Sequence, residues 1–451
     1  MNTKVNTQDL IKKAEMPSKE AMRLHPFYRG KIEIAPRCCV RDFNDFAIWY
    51  TPGVAAPCLA IKDNPDLVFQ YTNKSNFVAV VSDGTRVLGL GDIGPEAGLP
   101  VMEGKGILFK YLGGVDAFPI CVDTKDPDEL IDFVLKLQPS FGGINLEDIS
   151  QPKCFHVLDT LREKAHIPVW HDDQQGTAAV TVAGLVNALK IVGKKMHDVN
   201  IVMHGAGASN IAITRLIIHA GADPKKMVMI DSKGTLHPGR DDLKKGWPQK
   251  WHYATTTNAR GIKGGAAEAL KGADVLISLS KSGPGIVQGE WISSMAKDAV
   301  VFVCANPVPE IWPWEAKEAG ARIVATGRSD FANQVNNSLG FPGIFRGTLD
   351  VMAKTITDEM CIAASLELAK CAEDKGMHED YLIPTMDEWE VYPREAVAVG
   401  QMAIKQGVAR INMSPEEAFK VAETVIRRAR EQYSALWEKG VIAEPPPAPK
   451  E

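Results

Sequence analysis

Two acid pairs close apolar stretches that read as strands. Glu147-Asp148 follow Gly143-Ile144-Asn145-Leu146, and Asp172-Asp173 follow Ile167-Pro168-Val169-Trp170, with Gly176 opening a helix. Each pair stands where a strand ends, the edge at which α/β folds hold ligands. Three carboxylate oxygens from such ends suit Mg²⁺ or Mn²⁺ and leave coordination positions for a substrate hydroxyl and carboxylate. The same spacing also fits a helix N-cap at Asp172 or Asp173 with the other pair solvated, so spacing alone leaves both readings open.

Lys105 is a candidate base. On a helix beginning near Gly104 it shares a face with Leu108, Phe109 and Leu112. Desolvation on such a face favours the neutral amine, although a stem snorkelling to a wet edge is the commoner cause of such a pattern. Tyr50 precedes the turn Thr51-Pro52-Gly53, which fixes the phenol at an edge. Arg86, in Asp83-Gly84-Thr85-Arg86, could clamp a carboxylate. Taken alone, Tyr50 is a structural tyrosine and Arg86 a surface arginine.

Two glycine motifs compete as dinucleotide loops. Gly89-x-Gly91-x-x-Gly94 fits by letters but is followed by Pro95, Gly98 and Pro100. No helix is expected to start there and aim amides at a pyrophosphate; a loop close to a small ligand is the better expectation. Gly205-Ala206-Gly207-Ala208-Ser209-Asn210 departs from the fingerprint at Asn210, yet lies between a strand (Val199 to Met203) and a helical stretch (Ile211 to Ala220). The next strand ends in Asp231, whose carboxylate would accept hydrogen bonds from the adenine-ribose hydroxyls and repel a 2′-phosphate. That favours NAD, while Lys233 keeps NADP open.

The elements that position these residues alternate between strand and helix. Asn76 to Val81 and Ala117 to Val122 are expected strands in the first part. Asn200-Met203, Met227-Ile230, Val275-Ser278, Ala299-Cys304 and Arg322-Ala325 are expected in the second. Repeats of this kind predict an α/β fold with parallel sheet covered on both faces. The division expected is an N-terminal α/β substrate and metal domain over 1–170, a Rossmann-like NAD(P)-binding domain over 171–400, and a C-terminal helical extension with a Pro-rich tail over 401–451.

The chain has 451 residues, 51 Lys plus Arg against 56 Asp plus Glu, and a formal charge of -5. That near balance argues against a nucleic-acid surface or a polyacidic tail. Eight cysteines without a Cys-x-x-Cys pair, most of them in apolar runs, predict buried free thiols in a reducing compartment rather than disulfides or zinc. Residues 1–20 lack an apolar signal core and no apolar run reaches membrane-spanning length. A cytoplasmic location is the expectation.

Taken together, several segments resemble the malic enzymes, in the shorter form common in bacteria and archaea. They are Tyr50-Thr51-Pro52-Gly53-Val54-Ala55, the run from Thr85 to Gly94, Glu103-Gly104-Lys105, Asn145-Leu146-Glu147-Asp148, His171 to Thr177, Cys304-Ala305-Asn306-Pro307, and Asn336-Asn337 before Phe341-Pro342-Gly343. The similarity spans roughly residues 20 to 400, in order. This chain has Trp170 where the family usually has Phe, and Asn210 where the third cofactor residue is usually small.

The resemblance implies that Glu147, Asp148 and Asp173 hold a divalent metal, with Asp172 assisting Lys105. Lys105 would take the malate hydroxyl proton and Tyr50 would protonate carbon 3 of the enol. Arg86, Asn306 and Asn337 would bind substrate carboxylates, Asn306 also contributing to the nicotinamide site. Gly205, Gly207, Ala208, Ser209, Asn210 and Asp231 would line the cofactor. The implied reaction is oxidative decarboxylation of L-malate to pyruvate and CO₂ with NAD(P) and Mg²⁺ or Mn²⁺. Alternatives are a malolactic reaction releasing lactate, an NADP-preferring enzyme, a metal-free amino-acid dehydrogenase, and a nucleotide-sensing protein. A homo-oligomer, dimer or higher, is the family expectation. Residues 1–30, read as a polar helix, and Trp247, Trp251, Trp312 and Trp314 are candidate interface elements, although packing explains the tryptophans equally.

Overall fold

A run of residues with no exposed side chain, Val78 to Val81, forms the centre of the first sheet. This strand, β1 (Phe77–Ser82), pairs in parallel with β2 (Asp116–Cys121) on one side and β3 (Gly143–Leu146) on the other; β4 (Val169–His171) lies beside β3. The order is β2-β1-β3-β4. Burial on both faces is why β1 reads as a continuous apolar run rather than an alternating one. The computed structural model describes residues 7–448, with side chains from Met16 onward. The parts of the expected N-terminal helix and C-terminal extension at residues 1–6 and 449–451 lie outside the described residues.

The second sheet holds β5 (Ile201–His204), β6 (Met227–Asp231), β7 (Gly234–Thr235), β8 (Val275–Ser278), β9 (Ala299–Val303) and β10 (Ala321–Thr326), in the order β10-β9-β8-β5-β6-β7. All pairings are parallel except that of β7, which turns back on β6. The five expected strands of this region occupy these positions. The two-residue edge strand is too short to leave a pattern in sequence.

The helix carrying Lys105 corrects one expectation. It runs over Pro95–Gly113, starting directly after Gly94 rather than near Gly104. Proline at the first helical position lacks only an N–H that no helix uses there, and its fixed φ is already helical. Gly94, at φ 87°, makes the entering turn. Phe109 and Leu112 on the Lys105 face are buried, as the spacing predicts.

The last hundred residues form helices over Asp358–Asp374, Val391–Lys405 and Pro415–Glu438. The last is started by a reciprocal cap between Ser414 and Glu417. It lies on the Lys105 helix, with the Tyr433 ring 5.5 Å from Tyr111. One apolar core runs through both sheets and includes Phe109, Trp170, Phe341 and Phe345. A smaller core with Val202, Leu276 and Val301 lies on the other face of the six-stranded sheet.

Two surface expectations change. Cys154, Cys304, Cys361 and Cys371 are buried, but Cys38, Cys39 and Cys58 are exposed, because residues 33–64 pack on little of their own chain. Trp312 is buried and stacks on Trp314, with ring centres 5.1 Å apart, and Trp247 and Trp251 are half-buried. These tryptophans fill packing space rather than present a surface. Among the described residues no helix is long and apolar enough to cross a membrane.

Candidate active site

Both sheets present their carboxyl ends to a common crevice. The Pro95–Gly113 helix delivers Lys105 to it with a buried side chain. Its Nζ donates to Asp172 Oδ2 at 2.5 Å, lies 3.1 Å from Glu147 Oε1, and sits 4.5 Å above the centre of the Phe341 ring. Burial alone would push this ammonium down. The charges of Asp172 and Glu147 and the hydrogen bond to Asp172 outweigh it and hold Lys105 above the ordinary lysine range. The neutral lysine expected from an apolar helix face is therefore corrected: the carboxylates around it reverse the sign.

Asp172 is fully buried and held from three sides. Lys105 and Asn337 Nδ2 donate to Oδ2, the latter at 2.5 Å, and the Trp170 indole N–H donates to Oδ1 at 3.1 Å. The backbone is a π-helical turn, Asp172–Gly176, between β4 and the Thr177–Ile191 helix. A Cβ at Gly176 would collide with Asp172 Oδ1, so glycine is what lets the carboxylate fold back.

Glu147, Asp148 and Asp173 offer carboxylate oxygens that all lie within 4.8 Å of one another, the one such group among the described residues. Asp148 takes φ 55°, a left-handed backbone uncommon outside glycine. That conformation aims its N–H at Asp173 Oδ2, 2.9 Å away, and its carbonyl at the Arg86 N–H, also 2.9 Å away. Burial, then the neighbouring Asp173 charge, pushes the Asp148 carboxyl up to about 7. Burial likewise raises Glu147 well above the ordinary range, with Lys105 opposing. Asp148 Oδ2 is buried without a hydrogen-bond partner. Three hard oxygen donors whose charges repel one another, one of them orphaned, fit a divalent cation.

The Arg86 turn is braced by Asp83, whose Oδ1 accepts from the Thr85 N–H at 3.0 Å and hydroxyl at 2.5 Å. Arg86 itself is exposed, with Nη1 donating to Leu88 O at 3.1 Å. The Gly89–Gly94 loop reaches across to the second sheet: a Cβ at Gly89 would stand 3.6 Å from Asn306 O. Asn306 is exposed on the loop after β9.

The second glycine motif caps β5. Gly205 has φ 106°, and a Cβ there would stand 2.5 Å from Leu279 O. Gly207 caps the Ala208–His219 helix, so Ala208 and Ser209 lie in its first turn. Ser209 Oγ donates to Asp173 O at 2.9 Å, joining this helix start to the acid cluster. Asn210 is fully buried; its Nδ2 donates to the carbonyls of His204 and Gly205 at 3.0 and 2.9 Å. The residue that breaks the glycine fingerprint thus fastens the loop. Glu310 supports the same crevice, accepting from Ser278 Oγ at 2.8 Å and from the N–H groups of Ser280 and Ala305.

Lys105, Glu147, Asp148, Asp172, Asp173 and Asn337 thus converge, and Arg86 joins them through the Asp148 backbone. Tyr50 does not. Its ring is 71% exposed, and it makes no side-chain hydrogen bond or ring contact among the described residues. Asp231 is at the end of β6, but Arg240 Nη1 and Nη2 take both its oxygens at 3.0 Å, and Lys250 Nζ lies 3.8 Å away. Arg240, Trp170 and Glu310 join the site through contacts that no sequence motif marks. Trp170 carried the one available signal, as an indole at a position usually lacking an N–H.

The malic enzyme N-terminal domain model matches residues 29–162, and the malic enzyme NAD binding domain model matches residues 174–404. The bifunctional malic/malolactic enzyme of Bacillus subtilis (strain 168) is 49% identical over 402 residues, 88% of this chain and 96% of that protein. The crystal structure of Entamoeba histolytica malic enzyme is 54% identical with a TM-score of 0.95, covering 98% of this chain and 93% of that one. The structure of malic enzyme from Pyrococcus horikoshii Ot3 is 48% identical with a TM-score of 0.89, covering 94% and 99%.

Proposed function

Because the chain belongs to the malic enzyme family, we propose that it converts L-malate to pyruvate and CO₂ with reduction of NAD(P). The observation that carries the site assignment is Lys105 Nζ, 2.5 Å from Asp172 Oδ2 and 3.1 Å from Glu147 Oε1, beside carboxylates gathered within 4.8 Å. A cation held by Glu147, Asp148 and Asp173 would offset the carboxylate field on Lys105, polarise the malate hydroxyl and carry enolate charge, and NAD(P) would take the hydride.

The chain's own groups supply the rest. Lys105 accepts the hydroxyl proton, and Asp172 holds the ammonium so formed in place. Arg86 and Asn306, exposed at the crevice mouth, offer donors to the substrate carboxylates. Asn337 orients Asp172 and stands beside the position the substrate carboxylate would take. Tyr50 gives its proton to carbon 3 of the enol. The Gly205 loop and the start of the Ala208–His219 helix receive the pyrophosphate through backbone amides. The domain division at about residue 170, a homodimer and a cytoplasmic location complete the reading.

A second reading concerns the dinucleotide. Asp231 would select NAD if its carboxylate were free, yet Arg240 engages both oxygens. Beside them a cleft of about 310 Å³ is lined by Lys233, His237 and Arg240. This basic wall favours acceptance of NADP as well. The test is the rate with L-malate and Mn²⁺, run with each dinucleotide, after EDTA treatment and after Mn²⁺ is returned. Reduced dinucleotide with pyruvate is the expected product; lactate without reduced dinucleotide would instead identify the malolactic reaction.

A further inference from the structure

His171 closes β4 directly before the acid pair, and its side chain is completely buried. In the sheet it stands in register with Leu146, and Val169 precedes it on the same face; both are buried and apolar. A hydrocarbon side chain would pack at that position without carrying polar atoms inside. The imidazole instead brings two nitrogens, and neither Nδ1 nor Nε2 has a hydrogen-bond partner among the described residues. Buried polar groups are almost always paired, and a hydrogen bond left unmade at such depth costs stability. The reaction steps give this ring no task.

One of the two nitrogens faces a carboxylate. Nδ1 lies 3.6 Å from Asp173 Oδ2, the oxygen that already accepts the Asp148 N–H at 2.9 Å. The gap exceeds an ordinary N–H···O distance by about half an ångström, and a small rotation of either side chain closes it. Two lone pairs facing each other would repel, so the proton of the neutral ring belongs on Nδ1 and Nε2 is left as the acceptor. Asp173 lacks any other side-chain donor. Its neighbour Asp172 is held by Lys105, Asn337 and Trp170, whereas among the described residues the Asp173 carboxylate accepts only the Asp148 main-chain N–H. Its side chain is 35% exposed, with the sealed imidazole behind it.

We propose that His171 is a positioning residue of the cation site, its Nδ1–H donating to Asp173 Oδ2 and fixing, with the Asp148 N–H, the orientation in which that carboxylate meets a divalent ion. The inference rests on the reading of Glu147, Asp148 and Asp173 as metal ligands and adds the group that aims one of them. Carboxylates that ligate metals are themselves hydrogen-bonded, and loss of such a partner costs about ten- to a hundredfold in metal affinity. A neutral donor suits the task, because it orients the carboxylate without cancelling the charge that attracts the cation.

The test sets Mn²⁺ affinity against metal-free stability in His171 variants. Each protein is stripped with EDTA, dialysed and titrated with Mn²⁺ alone, the free ion being counted by electron paramagnetic resonance. His171→Phe is expected to weaken Mn²⁺ binding by about tenfold or more. Its metal-free Tm is expected to hold or rise, because an apolar ring replaces an unpaired polar one. His171→Asn sets an amide N–H close to where Nδ1 stood, and its affinity is expected to stay within about threefold of wild type. A ring that only fills space gives the reverse, a lower Tm in His171→Phe with unchanged affinity, and that result would overturn the assignment. So would a loss in His171→Asn as large as that in His171→Phe. Where the Phe chain folds poorly, wild-type protein gives the answer by proton NMR. Mg²⁺ is expected to move one imidazole N–H resonance downfield, a resonance that His171→Asn lacks, and no such movement would refute the contact. Asp173→Asn separates the two levels of the argument. Wild-type Mn²⁺ affinity in that variant sinks the metal-ligand reading itself; its loss there alongside full affinity in His171→Phe sinks only the positioning role.

Discussion

Trp170 donates its indole N–H to Asp172 Oδ1 at 3.1 Å, on the opposite side of the carboxylate from Lys105. Both aromatic and acid are completely buried, so the direction in which Asp172 presents its charge is set by the pair. Trp170→Phe removes a hydrogen bond to a charged group, worth about 1.5–3 kcal/mol, and leaves a small cavity. A fall in kcat of roughly tenfold or more is expected, with KM for malate changed less and the fold retained by circular dichroism. An unchanged kcat would show that Asp172 is oriented by its other two partners alone.

The same carboxylate constrains a glycine. Gly176→Ala puts a methyl group into Asp172 Oδ1, and the carboxylate must swing away from Lys105 or the π-helical turn must open. Activity is expected to drop by roughly tenfold or more, since small misplacements of catalytic groups are costly. Wild-type kcat in this variant would mean that the turn relaxes freely.

Metal binding should depend on pH with a definite sign. Asp148 is pushed up to about 7 by burial and by Asp173, and burial also raises Glu147 above the ordinary carboxylate range. A raised carboxyl stabilises the metal-free fold while protonated; that contribution is complete below the unfolded value of about 3.9 and is lost as pH rises through about 7. A cation must displace these protons, so its affinity weakens as pH falls through the same window, by up to about tenfold per unit for each proton released. Mn²⁺ should therefore raise Tm more at about pH 8 than at about pH 6, and calorimetry should detect protons released at the lower pH. Equal Tm shifts at both would place the cation elsewhere.

Cofactor choice should respond to Arg240. Arg240→Ala removes a donor available to a 2′-phosphate and frees Asp231 to repel it. The ratio of kcat/KM for NADP to that for NAD is expected to fall by about tenfold, the scale of one charge-assisted hydrogen bond. A ratio that does not move would assign the pair a purely structural role at the end of β6.

The strands and the acids at their ends were legible because burial and ligand placement both leave local patterns: apolar runs, then paired carboxylates. Asp148 and Asp173 come together because β3 and β4 are neighbours, which is what strand-end placement implies. Three features were not legible for physical reasons. Pro95 looked like a helix breaker because its harmlessness depends on being first in the helix. The Asp231–Arg240 pair closes across the β7 turn, nine residues apart, with no periodic signature. Tyr50 is in the right motif, but its ring stands in solvent because residues 33–64 pack on little of their own chain.

In the proposed reaction Lys105 is the base of a malate-oxidising site built on Glu147, Asp148 and Asp173. The most direct measurement is turnover of L-malate by Lys105→Ala, run alongside its Tm with and without Mn²⁺. The account predicts loss of pyruvate and reduced dinucleotide formation by roughly a hundredfold or more, with Mn²⁺ still raising Tm because the three carboxylates remain. Turnover within a few-fold of wild type would contradict it.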